Sequence, residues 1–185
     1  MNSVLKGETA VADVEDLISA FDAQQPTDVR GQEYGGKIEI VKKVERSDDV
    51  RVLPFLLRVA TDEHEYDLAR MEVLTDLRLR TYANDDDRLT VGRAVMHVLL
   101  NDPDDDVRNY AAIAMRRFMD VPGALASVQQ VLDNQDEEVV LRSSAFASMQ
   151  RLGPTDQTID IMRALIADSE FAKSASRILS EWGVA

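Results

Sequence analysis

Val107-Arg108-Asn109-Tyr110-Ala111-Ala112-Ile113-Ala114-Met115-Arg116-Arg117-Phe118 returns, in altered form, as Leu141-Arg142-Ser143-Ser144-Ala145-Phe146-Ala147-Ser148-Met149-Gln150-Arg151-Leu152. A shift of 34 positions lays Arg108 on Arg142, Ala111 on Ala145, Met115 on Met149 and Phe118 on Leu152. Each copy follows an acidic turn, residues 101–106 or 133–138, and each turn follows an apolar stretch at helical spacing. Before the first turn these are Leu89, Val91, Ala94, Val95, Val98 and Leu99, and before the second Leu125, Val128, Val131 and Leu132. A helix pair of this size cannot bury its apolar face alone, so a repeat at such a period predicts pairs stacked side by side. Pro103 cannot continue a helix, and the aspartates beside it can cap the next one and suit its positive end.

The pattern extends in both directions. Downstream, Pro122 is placed at the start of a first helix, Gly153-Pro154 ends its mate, and a last pair carries Ile159, Met162, Leu165 and Ile166, then Phe171, Ala175, Ile178, Leu179 and Trp182. Trp182 is expected to close the end of the stack. Upstream, Val52, Phe55, Leu56 and Val59 predict a first helix, and Tyr66, Leu68, Met71, Leu74, Leu77 and Leu79 its mate, ending near Tyr82. Residues 84–87 separate this pair from the next. Val11, Val14, Leu17, Ile18 and Phe21 suggest the earliest first helix, residues 24–28 its turn, and residues 29–44 its mate. Gly35-Gly36 within that mate costs roughly 1 kcal/mol per glycine against alanine, so a loose first pair is expected.

Helix, Asp-rich turn, Val-Arg and then small residues resembles the HEAT-like repeats of bacterial proteins. Asp106-Val107-Arg108 with Ala111-Ala112 looks like the turn and second helix, and the run from Ser47 through Pro54 to Leu56 resembles the junction between repeats. The likeness covers roughly residues 28–182. It departs in the first pair, at Arg70, which stands where an alanine is expected, and in the last repeat, where Ala145 to Ala175 is 30 positions. The resemblance implies an all-α fold, a right-handed α-solenoid of about five antiparallel helix pairs. One domain would then span residues 1–185, with a looser pair in 1–46 and regular repeats over 47–182. The small residues Ala111, Ala112 and Ala114, and Ser143, Ser144, Ala145, Ala147 and Ser148, would let neighbouring helices approach closely. Arg108 and Arg142 lie in the first turn of their helices, where the dipole disfavours a cation. A ladder between them and carboxylates of their own or an adjacent turn is the expected compensation.

Composition narrows the function. The 34 acidic residues against 21 basic ones give a net charge of −13, a field that repels phosphate backbones and anionic membranes. Nucleic acid and membrane are therefore not expected as partners, and a DNA-glycosylase role would need a basic groove with aromatic wedges, for which the net charge is of the wrong sign and aromatics, at 5%, are too few. A lyase role on a HEAT-like fold leaves no motif to test. There is no cysteine, hence no disulfide or thiolate metal site, and the start of the chain does not read as a secretory signal, so a cytoplasmic protein is expected. Asp102, Asp104 and Asp106 fit the first positions of a calcium loop, but Val107 stands where its glycine belongs and Ile113 where its bidentate glutamate belongs. Neither His64 nor His97 belongs to a metal-binding motif, and His97 is expected as a partly buried helix residue. No cofactor and no metal are expected.

What remains is a binding surface. Second helices are expected to line the inner side, presenting Glu72, Asp76, Asn109, Arg116, Ser143 and Gln150. The turns would place Asp104, Asp105 and Asp106, and Asp136, Glu137 and Glu138, along one edge with Asp62 and Glu63; residues 48–49 and 85–87 would lie on the opposite edge. The first reading is a non-enzymatic protein-binding module, most concretely an immunity protein that neutralises a basic toxin such as a nuclease. The alternative is a regulatory or scaffold subunit for protein assembly, which predicts an exposed apolar strip on the helices instead. A lyase- or hydrolase-type enzyme is the third, and would need a deep pocket holding His64 or His97 beside a carboxylate.

Overall fold

The computed structural model describes residues 13–24 and 36–184. Among them the chain is all helical: α1 (Val14–Asp22), α2 (Gly36–Val44), α3 (Val52–Thr61), α4 (Asp67–Leu79), α5 (Asp85–Asn101), α6 (Asp105–Ala114), α7 (Ala124–Asp133), α8 (Val139–Met149), α9 (Asp156–Ala164) and α10 (Ala172–Glu181). Short 3-10 turns, Met115–Arg117, Gln150–Leu152 and Leu165–Ala167, extend α6, α8 and α9.

Consecutive helices pack as pairs: α1 with α2, α3 with α4, and so on to α9 with α10. The pairs then stack in serial order, and the fold is an α-solenoid. Second helices form one row, α2 against α4 against α6 against α8, and first helices another, α3 against α5 against α7. Between the rows lies a continuous core. Its α6 face is the one read from the sequence, with Val107, Ala111, Met115 and Phe118 all buried. Ala112, Ala114, Ala145 and Ser148 are also buried, and Ser148 Oγ donates to the Ala112 carbonyl at 2.6 Å, so small side chains bring α6 and α8 together. Ser143 is exposed and does not serve this packing.

Helix ends differ from expectation in instructive ways. The aspartates at 85–87 do not separate two pairs; they form the first turn of α5, capped by Asn84, whose side chain accepts from the Asp87 N–H at 2.8 Å. Carboxylates suit that positive end. Pro122 lies ahead of α7 rather than at its start, because Gly123 turns the chain with φ 91°, a left-handed conformation that favours glycine. Gly92 has a different purpose: a Cβ there would sit 2.7 Å from a Val121 methyl, so α5 and the α6–α7 connection can close only over a glycine. Of the expected first turn and its mate, residues 25–35 lie outside the described residues. What is described of that pair contributes Val14, Phe21, Ile40, Val41 and Val44 to the core, with Phe21 edge-on to Phe55 at 5.1 Å.

Candidate functional site

From α3 onward, each first helix runs into a short turn before its mate, and because the pairs stack, these turns line up along one edge. They are residues 62–66, 102–104, 134–138 and 168–171. None contains a lysine or an arginine. The cations that neutralise part of this edge come from the second helices, and they point inward. Lys37 pairs with Glu65 at 2.6 Å, Arg70 with Asp102, Arg108 with Glu137, and Arg142 with Asp168. Every one of these pairs joins a second helix to the turn of the following pair.

The cations are 6%, 0%, 13% and 5% exposed, in that order. Three of them also tie down the end of the first helix in their own pair. Arg70 donates to the Ala60 carbonyl at 3.5 Å, Arg108 to Leu99 at 3.0 Å, and Arg142 to Leu132 at 3.0 and 2.8 Å. A cation suits a helix C-terminus, so the guanidinium gains there what it loses by sitting at its own helix N-terminus. Arg142 also lies 5.0 Å over the Phe171 ring, which stacks on Phe146, and Lys37 lies 4.2 Å over Phe21. Burial pushes the Asp168 carboxyl up, but the Arg142 guanidinium and the N–H groups of Glu170 and Phe171 hold it below its ordinary value. Hydrogen bonding to Glu137, against the cost of burial, raises the Arg108 guanidinium further.

The expected ladder is therefore present, always to the adjacent turn, and it is longer than the sequence suggested. Arg70 is a rung and not a departure from the repeat. The signal lay in the spacing: Lys37, Arg70, Arg108 and Arg142 follow one another at 33, 38 and 34 positions. Ala172, 30 positions after Arg142, is the first residue of α10 and carries no charge.

The ladder sorts the candidate binding residues. Glu137 is engaged by Arg108 and mostly buried, so it is not the solvent-facing acid it was expected to be. Asp104 is half-buried and caps α6, accepting from the Val107 N–H at 2.8 Å. Asp102 belongs to Arg70, so the run at 102–106 serves capping and pairing. Asn109 accepts from Ser144 Oγ at 2.7 Å between α6 and α8. Asp76 is held by Arg80 at 2.8 Å, and Glu72 is half-buried beside it. Gln150 is half-buried at the end of α8. Asp105, which lies 3.2 Å from Arg108, and Asp106, Asp136, Glu138, Arg116 and Ser143 are exposed. With Asp62, Glu63 and Glu170, the exposed acids Asp105, Asp106, Asp136 and Glu138 leave the edge acidic on its outer side. Residues 48–49, in the connection before α3, and residues 85–87, in the first turn of α5, lie at the other ends of the helices.

Two features escaped the sequence reading. On the second-helix row, Glu45, Glu72 and Asp76 crowd together; burial and then the charges of Asp76 and Glu72 push the Glu45 carboxyl up. Further along that row, Val139 and Val140 are 49% and 60% exposed and flank a shallow groove with Ile113, Arg116 and Ala147. His97 is exposed, with Asn101 Nδ2 3.2 Å from its ring, because it falls on the outer face of α5. Neither it nor His64 lines a described cavity.

A serial stack of antiparallel helix pairs, each locked to the next through its turn, is a helical-repeat architecture. Residues 92–179, just under half of the chain, match the family model of HEAT repeats, and the match and the all-helical stack together support a HEAT-like helical repeat protein. No curated protein and no solved structure matches it. HEAT repeats generally mediate protein–protein contacts and are generally not enzymes, which makes a protein-interaction scaffold the functional class this fold supports. No described helix is long and apolar enough to cross a membrane.

Proposed function

We propose that the chain is a non-enzymatic scaffold that takes a basic protein partner along its acidic edge. One observation carries this: four successive turns hold no lysine or arginine, and the second-helix cations Lys37, Arg70, Arg108 and Arg142 that reach them are buried in inward ion pairs, so that exposed acids outnumber the exposed cations nearby, Arg58, Arg163 and Lys173. The outer carboxylates Asp62, Glu63, Asp105, Asp106, Asp136, Glu138 and Glu170 thus face solvent with one sign of charge. Rows of like charge steer an oppositely charged partner and raise its association rate by about 10–10³-fold at low salt. In its most specific form the partner is a basic toxin, such as a nuclease, and the chain is its cytoplasmic immunity protein.

Affinity capture from the native cell at about 50 and about 300 mM salt tests this, since a Debye length near 10 Å at about 0.1 M lies between the two conditions. Recovery of a basic protein that is lost at the higher salt, and lost when Asp105, Asp106, Asp136 and Glu138 are changed to lysine, supports it. Salt-insensitive recovery of an acidic protein, or of nothing basic, overturns it. A second reading, a scaffold subunit of a larger assembly, draws on the exposed Val139 and Val140. It predicts capture that survives high salt and is lost in Val140→Asp.

A further inference from the structure

The row of first helices is regular until its last step. α3 packs on α5 and α5 on α7, but α9 does not pack closely on α7. The chain leaves α8 through a 3-10 turn and Gly153, whose φ of 67° turns it aside before Thr155 caps α9. A groove of about 860 Å³ is left between the two helices. Met119, Val121 and Ile161 make its floor, and Asp156 and Asp160 stand on the α9 wall. It opens on the first-helix row, away from the acidic edge described above.

We propose that this groove is a docking site for a basic amphipathic α-helix of a protein partner. Three observations select that occupant. The floor is apolar, so it suits an apolar stripe. Both walls are helices and neither offers an open strand edge; an extended segment would find at most the first-turn N–H groups of α7 and α9 and would lay most of its own N–H and C=O groups over apolar surface, whereas a helix brings its main chain already paired. No lysine or arginine lines the groove, and Asp156 and Asp160, four positions apart, present carboxylates on one helix face. Lysines or arginines four apart on a helix lying alongside match that spacing. Arg163 reaches Asp160 at 3.6 Å from outside, with both side chains largely exposed, and does not fill the site.

The test is selection of helical peptides from a displayed library randomised on its surface positions, using the full chain as bait. The expected binders carry aliphatic residues at i, i+3 or i+4 and i+7 beside a Lys/Arg flank. Ala126→Trp, at an exposed wall position, weakens them by about tenfold or more by filling the groove, with the helical circular dichroism signal and melting temperature of the parent retained. Asp156→Lys with Asp160→Lys redirects selection toward acidic flanks. Reversing Asp105, Asp106, Asp136 and Glu138 on the acidic edge leaves these binders unchanged, which separates the groove from the edge. Selection of no helices, of helices without a basic flank, or of helices indifferent to Ala126→Trp but lost on edge reversal overturns the proposal.

Discussion

Changing Arg142 to methionine tests how the stack is fastened near its C-terminal end. Methionine keeps an unbranched side chain of similar reach in a slot that is 5% exposed, and removes the guanidinium. The Leu132 carbonyl then loses both N–H donors, and Asp168, 8% exposed, loses its counter-charge. Removing one partner of a buried ion pair costs about 3–5 kcal/mol. Asp168 keeps the N–H groups of Glu170 and Phe171 at 2.8 and 3.2 Å, so the lower end, about 3 kcal/mol, is expected. At about 2–4 °C per kcal/mol for a chain of this size, the melting temperature falls by roughly 6–12 °C. Adding Asp168→Asn leaves an oxygen for both N–H groups but removes the stranded charge, and restores about 2 kcal/mol.

The same pair gives a pH signature. In the parent, the depressed Asp168 carboxyl contributes stability that is complete above its unfolded value of about 3.9 and is lost as pH falls through the lower folded value. Without Arg142 only the two N–H groups oppose the cost of burial, so the folded value is less depressed than in the parent. The gap between parent and Arg142→Met therefore narrows as pH falls through the acid range in which the carboxyl takes up its proton. Urea unfolding followed by helical circular dichroism measures all three proteins. A single-variant cost under about 1 kcal/mol, or a double variant no more stable than the single, would refute the reasoning.

Four further outcomes follow from the same geometry. Ala145→Leu, at a fully buried site between rows, costs about 1–3 kcal/mol by overpacking, whereas Ser143→Leu on the exposed face changes stability by less than about 0.5 kcal/mol in the same urea assay. Asp104→Ala removes the α6 cap and costs about 1 kcal/mol, while exposed Asp106→Ala is near neutral by thermal unfolding. Glu45→Gln relieves crowding by Asp76 and Glu72 and stabilises at pH 7 by a few tenths of a kcal/mol. Because the Glu45 carboxyl is raised, that gain shrinks as pH falls below its folded value and the parent's own glutamate takes up a proton. Arg177→Met, whose partner Glu181 is as exposed as itself, costs no more than about 0.5 kcal/mol in the urea assay.

The stack could be read from the chain because its cause is repeated: apolar residues at helical spacing, an acidic break, then small residues in a second helix. The core positions of α6 are legible for that reason, and so is the pairing of Arg108 and Arg142 with turn acids. Arg70 was missed because its apolar surroundings were aligned on a small packing residue, while its true equivalence lies with the cations 33 positions before and 38 after it. The division of the acids into buried and exposed could not be read, because Asp136, Glu137 and Glu138 are adjacent and alike in sequence. Only the position of the neighbouring Arg108 sends Glu137 inward. The groove between α7 and α9 depends on how far a three-residue connection swings a helix, and local composition does not encode that distance.

Thermal unfolding of two charge-neutralised variants tests the division of inward from outward acids most directly. One carries Glu65→Gln, Asp102→Asn, Glu137→Gln and Asp168→Asn, removing every inward acid of the ladder. The other carries Asp105→Asn, Asp106→Asn, Asp136→Asn and Glu138→Gln, removing as many outward acids of the same edge. The first is expected to lose its cooperative transition or melt far below the parent, and the second to melt within a few degrees of it. Equal melting temperatures for the two, or a larger loss in the second, would contradict the claim that inward carboxylates hold the stack and outward ones are left for a partner.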